Sequence, residues 1–259
     1  MTTQRPPSKK KQVLTRLYSL CKSRQDFVFT NDEVKAVCGE IDFKNPFDAT
    51  KIDTSTGLPD ALLEDDAFVV HLGRGAHQFV FGIENGYHRF EPVPDNRRFQ
   101  WNYRRSMLNN INTSESNILS VGYNQRIIHD FLYEDIAASP KVYGSNRTHI
   151  PVDYYIGGDE IRISRVQVEI DYTVEHLGEI TIFEAKNGEP DDFNVFQLFN
   201  PFRYYLRATE NLSVTGIQCC YLVRPESDKL RLYLYGFADP KNPGSIELIR
   251  NAEYMLVER

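Results

Sequence analysis

Val166-Gln-Val-Glu-Ile-Asp-Tyr-Thr-Val-Glu-His-Leu-Gly-Glu-Ile-Thr-Ile-Phe-Glu-Ala-Lys-Asn-Gly188 is the stretch from which the fold is read. Its spacing predicts two β-strands joined by a short turn. Side chains alternate faces along a strand, so Glu184 and Lys186 point the same way with Ile182, while Phe183 and Ala185 point to the other face. On the first strand Glu169 and Asp171 share a face, with Val168 and Ile170 opposite. Twelve residues lie between Asp171 and Glu184, a separation that suits a hairpin.

The triplet Glu184-Ala185-Lys186 is weak alone. An acid, any residue, then Lys also occurs at Glu33–Lys35, Asp42–Lys44 and Asp239–Lys241. With 36 acids and 11 Lys in 259 residues, chance gives roughly 1.5 such triplets. Setting separates the four. Glu33–Lys35 opens a helix, Asp42–Lys44 precedes Asn-Pro, and Asp239–Lys241 surrounds Pro240 in a turn. Only Glu184–Lys186 ends an apolar strand that follows a second, acid-bearing strand. Two carboxylates and an ammonium delivered to one place by a hairpin are what a magnesium-dependent phosphodiesterase needs. The plainer alternative is a solvated strand end with a surface ion pair; the flanking Asp171 favours catalysis.

Outward from this hairpin, the chain divides unevenly. Residues 1–10 read as a disordered basic tail, and Lys11 to about Ser23 as an amphipathic helix through Val13, Leu14, Leu17, Leu20 and Cys21. Thr30-Asn-Asp-Glu33 is a capping sequence opening a short helix to Cys38. Asn45 to Thr50 reads as another helix start and Leu58 to Leu63 as a short helix or turn. Ala67–Leu72 and His77–Phe81 form a hairpin tipped by Gly73-Arg74-Gly75. Short helices followed by such a hairpin predict a winged-helix-like unit over 11–90, with Arg74 a candidate DNA contact. Residues 91–112 read as a linker. Arg97, Arg98, Arg104 and Arg105, interleaved with Phe99, Trp101 and Tyr103, suit phosphate and base contact, or a solvated linker with anchoring aromatics.

Residues 113–259 read as a second domain. Glu115 to Ser120 and Asn124 to Asp135 are helical, and Val152–Ile156 and Ile161–Ile163 flank Gly157-Gly158 as a hairpin. The two motif strands follow. Phe193 to about Ala208 is a helix interrupted near Pro201. Ile217–Val223 and Leu230–Phe237 are strands, and Glu247–Val257 a last strand pair. The fold class is α/β (α+β), a mixed central sheet flanked by helices.

Composition sets the bounds. Apolar content is 41% and charged content 25%, ordinary for a globular chain. No run of about 18 apolar residues is present, so no membrane span is expected, and no apolar signal region follows the N-terminus. Cys21, Cys38, Cys219 and Cys220 lack zinc-like pairing and fit buried thiols in a reducing, cytoplasmic interior. The net charge of −6 is uneven: residues 1–110 carry 16 Lys+Arg against 14 Asp+Glu, and residues 111–259 carry 14 against 22. A local basic groove is enough for DNA, so this balance does not exclude it. The histidines show no zinc spacing, no Gly-x-Ser-x-Gly is present, and no phosphate-binding loop signals a nucleotide cofactor.

Asp171, Glu184-Ala185-Lys186 and the following helix with Gln197 together resemble the PD-(D/E)xK nuclease superfamily, and within it the type II restriction endonucleases. The likeness covers about 113–240, roughly half of the chain; the first acid follows Ile170 where the family pattern has Pro. The resemblance implies that Asp171, Glu184 and the Ala185 carbonyl bind Mg²⁺. Water activated by the cation attacks phosphorus in line, leaving 5′-phosphate and 3′-hydroxyl ends. Lys186 orients that water and offsets developing charge. Glu169 is an alternative ligand or a supporting acid, and Asp153 a rival first acid. Glu115 either reaches the metal or simply favours its helix N-terminus. Gln197 braces the site, touches phosphate, or is an ordinary helix residue. The expected partner is double-stranded DNA, met by a homodimer with one subunit for each strand. Methyl-directed or repair cleavage by the same core is one alternative, and a non-cleaving DNA-binding protein with a relict core is another.

Overall fold

The computed structural model describes residues 6–104, 106 and 114–259. Helix α1 (Lys9–Arg24) starts earlier than its apolar pattern suggests, because the Ser8 hydroxyl accepts from the Lys11 N–H and caps it. Lys9 and Lys10 therefore belong to a helix and not to a disordered tail; residues 1–5 of that predicted tail lie outside the described residues. Strand β1 (Val28–Thr30) leads into α2 (Asn31–Ile41), which opens with a complete capping box between Thr30 and Glu33. The helix start expected at Asn45–Thr50 is a run of turns: Asp48 and Ala49 donate three residues back, to Asn45 and Pro46. A short α3 (Asp60–Glu64) precedes β2 (Ala67–Gly73) and β3 (Ala76–Phe81). These strands form a three-stranded antiparallel sheet in the order β1-β3-β2. The β2–β3 tip is docked: a Cβ on Gly73 would lie 2.2 Å from the Arg165 carbonyl oxygen, so only glycine fits.

The predicted linker is in part a strand: residues 98–103 form β5 (Arg98–Tyr103), an edge strand of the central sheet, shortly after β4 (Tyr87–Arg89). Strand β5 lies parallel to β14 (Ile246–Glu258), with Phe99 facing Tyr254 and Trp101 facing Leu256. The basic-aromatic interleaving of this segment is the period-two alternation of a half-buried strand. Its aromatics pack on the core; Phe99 and Trp101 both contact the Tyr254 ring.

The remainder runs α4 (Glu115–Asn124), α5 (Ile127–Tyr133), β6 (Lys141–Tyr143), β7 (Asn146–Ile156), β8 (Asp159–Ile170), β9 (Tyr172–His176), β10 (Glu179–Asn187), β11 (Asp192–Asn194), α6 (Phe196–Ala208), β12 (Gly216–Glu226), β13 (Lys229–Phe237) and β14. The fold is mixed α+β around a seven-stranded sheet in the order β5-β14-β13-β12-β10-β9-β6. The β10–β12 and β14–β5 pairs are parallel and the others antiparallel. Strands β7 and β8 form a separate two-stranded ribbon, longer than the Gly157-Gly158 pattern suggests. Strand β14 is a single strand and not a pair; a bulge opposite Leu234–Tyr235 absorbs the break in its alternation. Helix α6 runs through Pro201, where only the Gln197 carbonyl loses its helical donor.

Alternation along β10 and β12 divides the core. Ile180, Ile182, Cys219 and Tyr221 face α6, the β7–β8 ribbon and the N-terminal unit. Phe183, Ala185, Cys220 and Leu222 face α4 and α5. All four cysteines are buried free thiols. No helix among the described residues is long and apolar enough to cross a membrane.

Candidate active site

The acid expected on the first strand sits instead at a bend between two strands. Strand β8 stays paired with β7 to its last residue, Ile170 facing Asn146. The chain then leaves that ribbon at Asp171 and enters the central sheet as β9. Strand β9 turns at Leu177-Gly178, both at positive φ, and returns as β10 with Tyr172 facing Phe183. One step further along this register, Asp171 stands opposite Glu184. The Ala185 N–H donates to Asp171 Oδ2 at 3.4 Å, where a strand neighbour would otherwise accept. The N–H and carbonyl of a strand residue project toward the same neighbour, so the Ala185 carbonyl also faces this opening.

Glu184 is nearly buried on the α6 face of the sheet. Gln197, in the first turn of α6, donates its side-chain amide to Glu184 Oε1 at 3.1 Å, and the Gln197 oxygen accepts from the Tyr221 hydroxyl at 3.2 Å. Lys186 Nζ lies 3.1 Å from Glu115 Oε1 and 3.6 Å from Glu184 Oε1. The sequence placed Asp171, Glu184 and Lys186 at one site and left Glu115 and Gln197 open; the structure brings all five together. Glu115 meets Lys186, and Gln197 braces Glu184.

The electrostatics follow from burial. Burial first, then the Asp171 charge, pushes the Glu184 carboxyl well above its ordinary range, against the pull of Lys186. Burial also raises Asp171, offset by the Ala185 N–H and reinforced by Glu115. For Lys186, burial works against the charge, but Glu184 and the Glu115 bond outweigh it and hold the ammonium above its usual value. Lys186 keeps its proton, and Glu184 shifts toward keeping one.

Two predicted acids lie elsewhere in role. Glu169, on the exposed side of β8, pairs with Arg147 at 2.9 Å and accepts from Gln167 at 2.7 Å. Asp153 is held by Arg203 at 3.1 Å and Lys241 at 2.8 Å, in a different cleft, between β8 and α6. The predicted DNA-contact arginines divide similarly. Arg97 donates to the Asn251 carbonyl at 3.3 Å and stacks on Phe99, while Arg98 donates to the Val93 carbonyl at 3.0 Å and pairs with Asp95 at 3.2 Å. Both fasten the start of β5. Arg74, at the hairpin tip, and Arg104 are exposed, and Arg105 lies outside the described residues.

Sequence reasoning missed two residues. Tyr221 on β12 enters through the partner strand, and burial with the Glu184 and Asp53 charges raises its hydroxyl far above the ordinary value. Asp53, from the N-terminal unit, lines a cavity of about 290 Å³ with Thr54, Lys186, Asn187 and Tyr221. No local pattern marks Asp53, which lies in coil between α2 and α3.

Among the described residues no group of three or more His, Cys, Asp or Glu side chains is already gathered closely enough to hold a metal ion. The donor chemistry nonetheless suits a hard divalent cation: two opposed carboxylates and a backbone carbonyl, all oxygen. Neighbouring carboxylates raised by burial and mutual repulsion are a further property of such sites before the cation neutralises them.

Two families match the chain, one described as Domain of unknown function (DUF6997) over residues 82–255 and one as Domain of unknown function (DUF6996) over residues 11–79. The break between them falls at the end of β3. No curated protein and no solved structure matches.

Proposed function

The chain belongs to the family described as domain of unknown function DUF6997, and for it we propose a magnesium-dependent DNA endonuclease of the PD-(D/E)xK kind, acting as a type II restriction enzyme. One observation carries the reading: where the chain leaves the β7–β8 ribbon, Asp171 accepts from the Ala185 N–H next to Glu184, with Lys186 paired to both Glu184 and Glu115. A mixed sheet with α4 and α5 on one face and α6 on the other supports a restriction-endonuclease-like core.

In this reading Asp171, Glu184 and the Ala185 carbonyl hold Mg²⁺. When bound, the cation supplies a Lewis acid that polarises phosphate and acidifies water. Lys186, kept protonated by its two carboxylates, orients the attacking water and offsets charge on the phosphorus oxygens. Gln197 fixes the Glu184 carboxyl, and Tyr221 fixes Gln197.

The N-terminal unit is the proposed recognition element. Its element order α1-β1-α2-α3-β2-β3, with sheet order β1-β3-β2, supports a winged-helix-like arrangement. Neither α2 nor α3 is basic, so the wing supplies the phosphate contacts: Arg74 at its tip, beside exposed Arg165 on β8. Arg165 precedes Asp171 by six residues, about 20 Å along the strand. Two-strand cleavage at a symmetric sequence calls for a homodimer.

The test is incubation of unmethylated and methylated phage DNA with the protein and Mg²⁺ or EDTA. Discrete fragments that vanish with EDTA support the reading. Cutting confined to methylated DNA redirects it to a methyl-directed nuclease, and binding without nicking to a non-cleaving protein.

A further inference from the structure

One wall of the cleft above Lys186 comes from the opposite end of the chain. Asp53 and Thr54 line it, across from Lys186, Asn187 and Tyr221. The loop that carries them is firmly held. The Asn194 N–H donates to the Asp53 carbonyl at 2.8 Å, and the Asn194 side chain to the Ile52 carbonyl at 3.1 Å. The Tyr87 hydroxyl also donates to the Ile52 carbonyl, at 3.2 Å. The Ser55 N–H donates to Asp192 Oδ1 at 2.8 Å, and the Ser55 hydroxyl to Asp192 Oδ2. Asp192 itself is only 4% exposed.

None of these bonds uses the Asp53 carboxylate. It is exposed at the cleft, and among the described residues no hydrogen bond or ion pair engages it. It shares the cavity wall with Lys186 and Tyr221, and Lys186 lies 3.6 Å from Glu184. A carboxylate whose backbone is fixed on both sides, yet which makes no hydrogen bond or ion pair among the described residues, is placed to meet something that enters the cleft. The nearby charges, Asp171, Glu184 and Glu115 against Lys186, already favour a cation over an anion.

We propose that Asp53 is the N-terminal unit's contribution to divalent-cation binding at the Glu184–Lys186 site. This rests on the nuclease reading above and extends it: the charge that draws the cation comes from both parts of the chain. An exposed charge near a divalent cation changes its affinity by about three- to tenfold. Asp53 thus sets how much cation the site needs, while Asp171 and Glu184 decide whether it binds at all.

The experiment measures Mn²⁺ binding to the full-length protein, without DNA, by electron paramagnetic resonance of the free ion. Asp53→Asn, Asp53→Glu and the charge-matched control Glu64→Gln are compared with wild type. The expected result is a roughly three- to tenfold weaker Mn²⁺ affinity in Asp53→Asn, at least partial recovery in Asp53→Glu, and no change in Glu64→Gln. The half-saturating cation concentration for cleavage shifts by the same factor. Equal melting temperatures show that folding is intact. If wild type binds Mn²⁺ and Asp53→Asn binds it equally well, this inference alone is overturned. If wild type binds no Mn²⁺, the nuclease reading fails and this inference falls with it.

Discussion

Asp171 occupies the place beside Ala185 that a strand neighbour would fill: the Ala185 N–H donates to its Oδ2 at 3.4 Å. The chain reaches this point by abandoning one sheet and entering another, so the carboxylate is fixed by the backbone on both sides of it. Glu184, opposite, is held by a helix, and Lys186 by two acids. Each side chain of the site is thus positioned by a different element, and each can be tested separately.

Glu184 should be a destabilising residue in the absence of cation. Burial raises its folded carboxyl above the ordinary value of about 4.3 at which the unfolded chain releases the proton. Above that pH the folded state binds more protons than the unfolded state, so stability falls as pH rises toward the elevated folded pKa. Glu184→Gln should remove this loss, raise stability at pH 8 relative to wild type, and abolish cleavage. Calorimetry at pH 5 and pH 8 checks it; a variant that melts lower than wild type at pH 8 contradicts the burial argument.

Lys186→Ala should lower cleavage by about 100-fold or more, while DNA binding without cation stays within about twofold. Gel-shift and cleavage assays on the same preparations separate the two. A fully active variant would remove Lys186 from the site.

Gln197→Ala should act less severely. It frees the Glu184 carboxyl and leaves the Tyr221 hydroxyl without its acceptor, for about a 10- to 100-fold loss in cation affinity or rate. Tyr221→Phe, which keeps the Gln197–Glu184 bond, should cost less. If Tyr221→Phe is the more damaging of the two in cleavage titrated with Mg²⁺, the order of this chain is wrong.

The N-terminal unit should be acid-labile. His77 Nε2 lies 2.8 Å from Asn31 Oδ1, and His77 Nδ1 lies 2.8 Å from His71 Nδ1. If Nε2 donates to Asn31, the neutral His77 ring must accept at Nδ1, and His71 must donate. Burial lowers the His77 pKa to about 4. The unfolded state therefore binds more protons between about 6.5 and 4, and stability is lost as pH falls through that window, by on the order of 1–3 kcal/mol. Thermal melts from pH 7 to pH 4 should show this, with a flatter profile for His77→Phe.

A fragment beginning at residue 114 should not fold cooperatively. It lacks β5, whose backbone completes the edge beside β14 and whose Phe99 and Trp101 cover Tyr254. A sigmoidal thermal transition in the circular dichroism of that fragment would falsify this role for β5.

What the sequence made legible was what short-range periodicity encodes. The capping box at Thr30 and Glu33, the apolar face of α1 and the alternation around Glu184 and Lys186 are local patterns. Three features are not local. Strand β5 finds its parallel partner about 150 residues away, so its alternation had no visible neighbour and passed for a linker. The bend at Asp171 depends on β7 holding β8 outside the central sheet. Asp53 reaches the site only because Asp192 and Asn194 hold its loop there. Long-range pairing decides all three.

The bonds from Ser55 to Asp192 and from Asn194 to Asp53 also bear on heredity. They join a residue range matched by one family to a residue range matched by the other. A gene that carried only the second range would leave buried Asp192 without its donors and the cleft without one wall. Recombination between the two ranges is therefore not neutral, and a new N-terminal half would have to bring its own serine, its own loop and its own acid.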